Sequence, residues 1–225
     1  MPSSLFSIGR ELSGDLSVAE VLSDYLGNAR REVRQFFCNN KRFDAFWKGT
    51  SPEKKRSFDM TIHSHTDAIE DVVHYFQQCI AGHFQQSDAL VENIGLCLRE
   101  SLANAIIHGN LEIPPKLRDD SWEQYEAVLR ERQNQSNLAQ RRVIVRCEIR
   151  PQFVKFVVED QGAGFNAEKI SARLQQNVFE HDDAHLDALS ASGRGLVLIT
   201  TFMDHVFWNP VGNCITMVKQ MPAPE

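Results

Sequence analysis

Three groups of residues in this sequence have types and spacings that could do chemistry. The first is Glu100, Asn104 and His108, set four apart in an otherwise apolar run from Asp88 to Asn110 (DALVENIGLCLRESLANAIIHGN). Residues four apart stack on one face of an α-helix. The spacing therefore predicts a carboxylate, an amide and an imidazole in a column on a mostly buried helix. Burying such groups costs free energy unless something satisfies them; a wet groove or satisfying neighbours is the plain alternative. The second group is Asp160-x-Gly162-x-Gly164, followed by Phe165. An acid at a strand end, then two glycines one apart, predicts a tight turn whose backbone a ligand can approach closely. An ordinary Asp-Gly turn would look the same. The third is Gly193-Arg194-Gly195, leading into Leu196. Glycines opening a helix leave N–H groups free for an anion, and Arg194 adds a charge suited to phosphate.

The elements that must position these groups follow from periodicity. The Asp88 to Asn110 run reads as one helix stopped by Gly109. Upstream, Phe58, Met60 and Ile62 alternate with polar residues, which predicts a strand; Ser64-x-x-Asp67 can then start a helix to about Phe84. Downstream, Leu-Glu-Ile-Pro-Pro is incompatible with a helix. Ser121-Trp-Glu-Gln124 is a capping box opening a charged helix to about Asn134, so residues 111–141 read as an insertion. Val143 to Ile149 and Phe153 to Glu159 form a predicted antiparallel hairpin. A helix from Leu196 to Met203 follows directly on Gly195. Strands His205–Trp208 and 214–219 close the domain across a turn. Residues 1–56 read as a helical appendage and linker, with an amphipathic helix from Ser17 to about Phe37. It would serve either dimerisation and docking or packing on its own domain. The predicted fold class is α+β: a two-layer sandwich over 57–220, a mixed, mostly antiparallel sheet with helices on one face, and a tail at 221–225.

Composition narrows the function classes. The chain has 225 residues, 42% hydrophobic, with a net charge of −6 and no long basic run. That argues against direct nucleic-acid binding. No apolar run approaches about 20 residues, so no membrane span is expected, and no signal peptide is evident. The five cysteines are odd in number and widely spaced. They read as reduced core residues of a cytoplasmic protein. His63 and His65 lack a third ligand at useful spacing, and His181, Asp182, Asp183, His185 and Asp187 read as a charged loop rather than a metal site.

Together the three groups are more specific than any one. Glu100-x-x-x-Asn104, then DQGAGF, then GRGL, with roughly 28 residues between the last two, resemble the N box and glycine boxes of the histidine-kinase-like (GHKL) ATPase superfamily. LRESLANAIIHGN and GRGLVLITTFMDHVFWNPVGNCITMVK are similar to the anti-sigma regulatory factor, serine-protein kinase branch. The resemblance covers about residues 57–220 and leaves residues 1–56 unexplained; the insertion is longer than in compact kinases of that branch. It implies ATP and Mg²⁺ as cofactors. Asp160 would accept from the adenine amine, with Gly162, Gly164 and Phe165 shaping that pocket and Thr216 offering a hydroxyl through water. Asn104 would hold Mg²⁺, which needs few protein ligands. Glu100 would orient or deprotonate an incoming hydroxyl. Gly193, Arg194, Gly195 and Leu196 would wrap the phosphates, with 166–192 as the ATP lid. His108 would touch phosphate or serve the helix end.

The function so implied is a serine/threonine protein kinase transferring the γ-phosphate to a small anti-anti-sigma-type antagonist protein. A sigma factor is a possible second partner, and a homodimer the expected state. The alternative is a nucleotide-switched sequestering module with little or no kinase activity. A histidine kinase is disfavoured because no phosphoacceptor helix hairpin precedes Ser57.

Overall fold

The computed structural model describes residues 56–84, 88–166 and 191–221. The predicted N-terminal helix and most of the predicted lid fall outside them. Five strands form one sheet in the order β1-β2-β3-β5-β4: β1 Arg56–His63, β2 Arg142–Arg150, β3 Phe153–Glu159, β4 His205–Trp208 and β5 Cys214–Gln220. All four pairings are antiparallel. The helices are α1 Ala68–Ala81, α2 Asp88–Ala103, α3 Pro115–Asp120, α4 Trp122–Asn134, α5 Ser136–Ala139 and α6 Ala191–Phe202. This is the α+β sandwich that the sequence predicts.

Alternation decides which face is buried. Val143, Val145, Cys147 and Ile149 of β2 sit opposite Val154, Phe156 and Val158 of β3 or Ile62, Met60 and Phe58 of β1. Side chains two apart share a face, so these form one apolar surface. Phe76 of α1 is fully buried on it, edge-on to Phe58 and Phe156 at 6.1 and 5.2 Å between ring centres. Leu98 and Leu102 of α2 are no more than 1% exposed; each such burial contributes about 2 kcal/mol. Helix α2 packs between α1 and α6. Lys219 of β5 is buried too. Its ammonium donates to the Phe202 carbonyl at 2.9 Å and lies 3.3 Å from Asp204. A cation at the carbonyl end of α6 complements the helix dipole and ties α6 to the last strand.

Three local readings are corrected. The Asp88 to Asn110 run is not one α-helix: α2 ends at Ala103, and Asn104–Asn110 winds as a π-helix. Ser64 does not cap α1, whose N-cap position is Asp67 without a side-chain bond; the Ser64 hydroxyl instead donates to the Arg141 carbonyl at 2.9 Å. Helix α6 starts at Ala191, so Gly193, Arg194 and Gly195 lie inside its first turns rather than before it. Residues 111–141 carry α3, α4 and α5. Ser121 caps α4 through the Gln124 N–H, and Tyr125 and Leu138 are its buried anchors. Gln133 also donates to the Thr66 hydroxyl at 3.0 Å. Between the π segment and α3 the chain passes through Glu112 at φ 54, a conformation uncommon for a residue with a side chain. Its carboxylate is 2.7 Å from the Arg141 guanidinium.

Candidate nucleotide site

The floor of the site is the junction between α2 and the π segment. In an α-helix Glu100, Asn104 and His108 would align, but beyond Ala103 the hydrogen bonds run over five residues, as from the Leu111 N–H to the Ile106 carbonyl at 2.8 Å. Asn104 opens this wider winding and His108 lies within it. Single π turns of this kind recur at functional sites. The His108 Nδ1 lies 2.7 Å from the Ile113 carbonyl oxygen. That oxygen only accepts, so Nδ1 carries the proton and the neutral ring keeps a lone pair on Nε2. Burial lowers the His108 pKa below its usual 6.5, which favours the same neutral form. Its structural bond to the insertion's start decides half of the question the sequence left open.

Glu100 is half-buried, and burial raises its pKa above the usual 4.5 against the pull of Arg118 and Arg99. Arg99 is otherwise engaged: it grips Glu70 through two 2.7 Å hydrogen bonds. A Cβ added to Gly195 would run into the Glu100 carboxylate. The glycine of α6 and the carboxylate of α2 thus face each other directly, although 95 positions separate them in the chain. Asn104 is half-buried, and its carboxamide makes no hydrogen bond among the described residues. Such an oxygen fits a hard cation that takes one protein ligand and fills its shell with phosphate oxygens and water. Among the described residues there is no cluster of three His, Cys, Asp or Glu able to hold a metal, so phosphate would have to complete the coordination.

Asp160 follows β3 directly. Its Oδ1 accepts from the Gly162 N–H at 2.8 Å, closing the turn. Its own N–H donates to the Asn213 carbonyl, and the Asn213 amide donates back to the Asp160 carbonyl, both at 2.9 Å. Burial raises its pKa from 3.8 to about 6, opposed by the Gly162 bond and by Arg141. The carboxyl packs onto Gly109, where an added Cβ would meet it at 2.5 Å, and Gly162 stacks on the Gly109 carbonyl. So Gly109, read from sequence only as a helix stop, is what lets the Asp160 turn reach the end of the π segment. Gly164 adopts φ 74 and packs against Val211 of the β4–β5 turn. Phe165 is exposed, with its ring 6.2 Å from that of Trp208.

One buried residue that sequence reasoning missed holds these parts together. Asn110 is 0% exposed. Its Oδ1 accepts from the Gln161 N–H at 2.7 Å, its Nδ2 donates to the Ser64 hydroxyl at 2.9 Å, and its carbonyl accepts from Arg141 at 2.8 Å. The end of β1, the π segment, the Asp160 turn and the chain entering β2 meet there. The only hint in the sequence is that Asn follows the helix-stop glycine.

The structure therefore brings Glu100, Asn104 and Gly195 together at one end, and Asp160, Gly162 and Gly109 at the other. Gly193, Arg194 and Leu196 share α6 with Gly195, and Arg194 is exposed. Thr216 is a correction. It pairs with Val157 and Phe207, whereas its neighbour Met217 pairs with the core residue Phe156 and accepts from Ser101 of α2. Alternation puts Thr216 on the sheet face away from the helices, so it does not join the site.

Of the sixteen-residue α2 and the shorter helices, none among the described residues is long and apolar enough to cross a membrane. No curated protein matches the chain. Residues 62–219 match the family described as the histidine kinase-like ATPase domain. That span contains every described element except part of β1 and the last residue of β5, and it contains both ends of the site. The chain belongs to the histidine kinase-like ATPase family, whose domain supports the binding of ATP.

Proposed function

We propose that the protein is an ATP-dependent serine/threonine kinase of the anti-sigma regulatory kind. It transfers the γ-phosphate to a hydroxyl of a small antagonist protein, sequesters a sigma factor, and works as a homodimer in the cytoplasm. The observation that carries the catalytic part is Glu100: a carboxylate of raised pKa, one α-helical turn from the Asn104 amide and against the glycine of α6. A base whose pKa moves toward neutrality accepts a proton more readily from an alcohol. Glu100 takes the hydroxyl proton as the substrate oxygen bonds to phosphorus and the bond to the ADP oxygen breaks. Asn104 would hold Mg²⁺, which supplies charge neutralisation on the phosphate oxygens. Asp160, at the other end of the π segment, suits a hydrogen bond from the adenine amine.

The test is phosphotransfer from Mg-ATP to the cognate antagonist, followed by phosphoamino-acid analysis. Wild type should yield phosphoserine or phosphothreonine. Glu100→Gln should lower the rate by about 100-fold or more while changing the Kd for ATP less than about threefold. Undiminished transfer by Glu100→Gln refutes the base. Nucleotide-dependent antagonist capture with no transfer by wild type would replace the kinase with a sequestering module.

A further inference from the structure

The helical insertion carries a guanidinium set over two aromatic rings. Arg118, on α3, has its guanidinium carbon 5.8 Å from the Trp122 ring centre and 5.9 Å from that of Tyr125. Tyr125 is buried and anchors α4. The Arg118 Nε is sealed from solvent, while the residue as a whole stays half-buried. Two aromatic rings and a sealed stem restrict the plane of the guanidinium fork, so little freedom remains to be lost on binding. Helix α3 also packs directly against α6, the helix of Gly193, Arg194 and Gly195.

The Arg118 charge also acts on the carboxylate that faces Gly195 of α6. It is the strongest opposing influence on Glu100, ahead of Arg99, which adjoins Glu100 in the chain. It also disfavours protonation of His108. Glu100 and His108 flank Asn104 in sequence, so the guanidinium lies within electrostatic reach of both sides of the candidate metal ligand. A polyphosphate bound there faces the Glu100 carboxylate, and like charges at close range repel. A restrained guanidinium within electrostatic reach of that carboxylate offsets the repulsion and offers the planar donor fork that phosphate oxygens accept.

We propose that Arg118 binds the terminal phosphate of the nucleotide, so that the insertion completes the phosphate site and lets it distinguish ATP from ADP. This rests on the ATP-binding reading of the same site. A guanidinium serving only as a counterion to Glu100, or as a packing stem for α4, would not discriminate nucleotides by phosphate number.

The experiment measures Kd values of the full chain for Mg-ATP, Mg-ADP and adenosine by calorimetry, for wild type, Arg118→Gln and Arg118→Lys. Arg118→Gln should weaken Mg-ATP by about 10- to 100-fold, as loss of a charge-assisted contact implies. Mg-ADP should weaken no more than about threefold, and adenosine should not change, which also reports that the pocket is folded. Arg118→Lys, which keeps the charge but not the stacked fork, should fall between. Equal weakening of all three ligands in both variants would make Arg118 a structural residue and overturn the proposal. So would unchanged Mg-ATP affinity. Wild type that binds adenosine but neither phosphorylated ligand more tightly would overturn it while leaving the Asp160 pocket standing. Wild type that binds none of the three would remove the nucleotide reading itself.

Discussion

Asp160→Asn separates what the site needs from what the fold prefers. The Asp160 carboxyl is raised from 3.8 to about 6 because burial disfavours its ionised form. An asparagine there keeps an oxygen for the Gly162 N–H, now at 2.8 Å from Oδ1, and fits against Gly109 with nearly the same shape. It removes the desolvated charge. A shift of that size corresponds to about 3 kcal/mol for a group withdrawn from water. The carboxyl is only half-buried, so solvent screening reduces the expected gain to about 1 kcal/mol. For a chain of this length that is a rise in Tm of about 2–4 °C. The sign follows from linkage. A raised folded-state pKa favours the protonated native form, so the wild type carries no penalty below 3.8, acquires it between 3.8 and about 6, and carries it in full above. The Tm difference between variant and wild type should therefore be near zero at pH 4 and level off by pH 7. Nucleotide binding should move the other way. At neutral pH a carboxylate accepts from the adenine amine more strongly than an amide does, so Asp160→Asn should weaken ATP by about 10-fold or more. Wild-type affinity should itself fall as pH drops below about 6. Thermal scans and ATP titrations across pH 4–8 measure both. A variant destabilised at pH 7.5, or a Tm difference independent of pH, refutes the desolvation argument; an unchanged Kd for ATP refutes the adenine contact.

Two further substitutions test the supports of the floor. Asn110→Ala removes both side-chain hydrogen bonds of a fully buried residue and leaves the Gln161 N–H without its acceptor. It should cost about 2–4 kcal/mol, read as a lower urea midpoint with an unchanged slope. His108→Ala removes the bond to the Ile113 carbonyl and should cost about 1–3 kcal/mol while shifting the Kd for ATP less than about threefold; a larger loss of ATP affinity, with stability intact, would return His108 to the phosphates. The neutral state of His108 adds a pH signature. Its folded-state pKa lies below 6.5, so wild-type stability should fall as pH drops through 6.5 toward that lower value, and this loss should be missing in His108→Ala.

Elements governed by local periodicity were legible in the sequence. Alternation located β2, β3, β4 and β5 to within a residue or two, because each strand buries one face. The capping residue Ser121 was legible because its partner, Gln124, lies three positions away. What was not legible depends on partners far along the chain. Ser64 has the sequence context of a cap, but its hydroxyl bonds to Arg141, 77 residues on. Nothing in NAIIHGN announces a π-helix; that winding brings Gly109 beneath Asp160 and Asn110 beside Gln161 and Ser64. Thr216 was placed by resemblance, and strand alternation puts it on the wrong face. Arg118 looked like one more charge in a solvated insertion, because the packing of its helix against α6 and its effect on Glu100 are tertiary facts.

The glycines show most clearly how the physical reason differs from the sequence expectation. Gly162 and Gly195 invited an argument from backbone freedom and helix starts. Neither has a positive φ; among the described glycines only Gly164 and Gly212 do. Gly195 even sits within a helix, where glycine costs about 1 kcal/mol relative to alanine. What it supplies is room, since a Cβ there would occupy the place of the Glu100 carboxylate. Gly109 does the same for the carboxylate of Asp160. The two acidic groups of the site, at opposite ends of the floor, are thus each seated where a neighbouring helix lacks a side chain. Burial in those seats raises both pKa values, so the missing methyls and the shifted carboxylates are one structural device. An alanine at either glycine would act on the chemistry by displacing a carboxylate, and would leave the backbone path as it is.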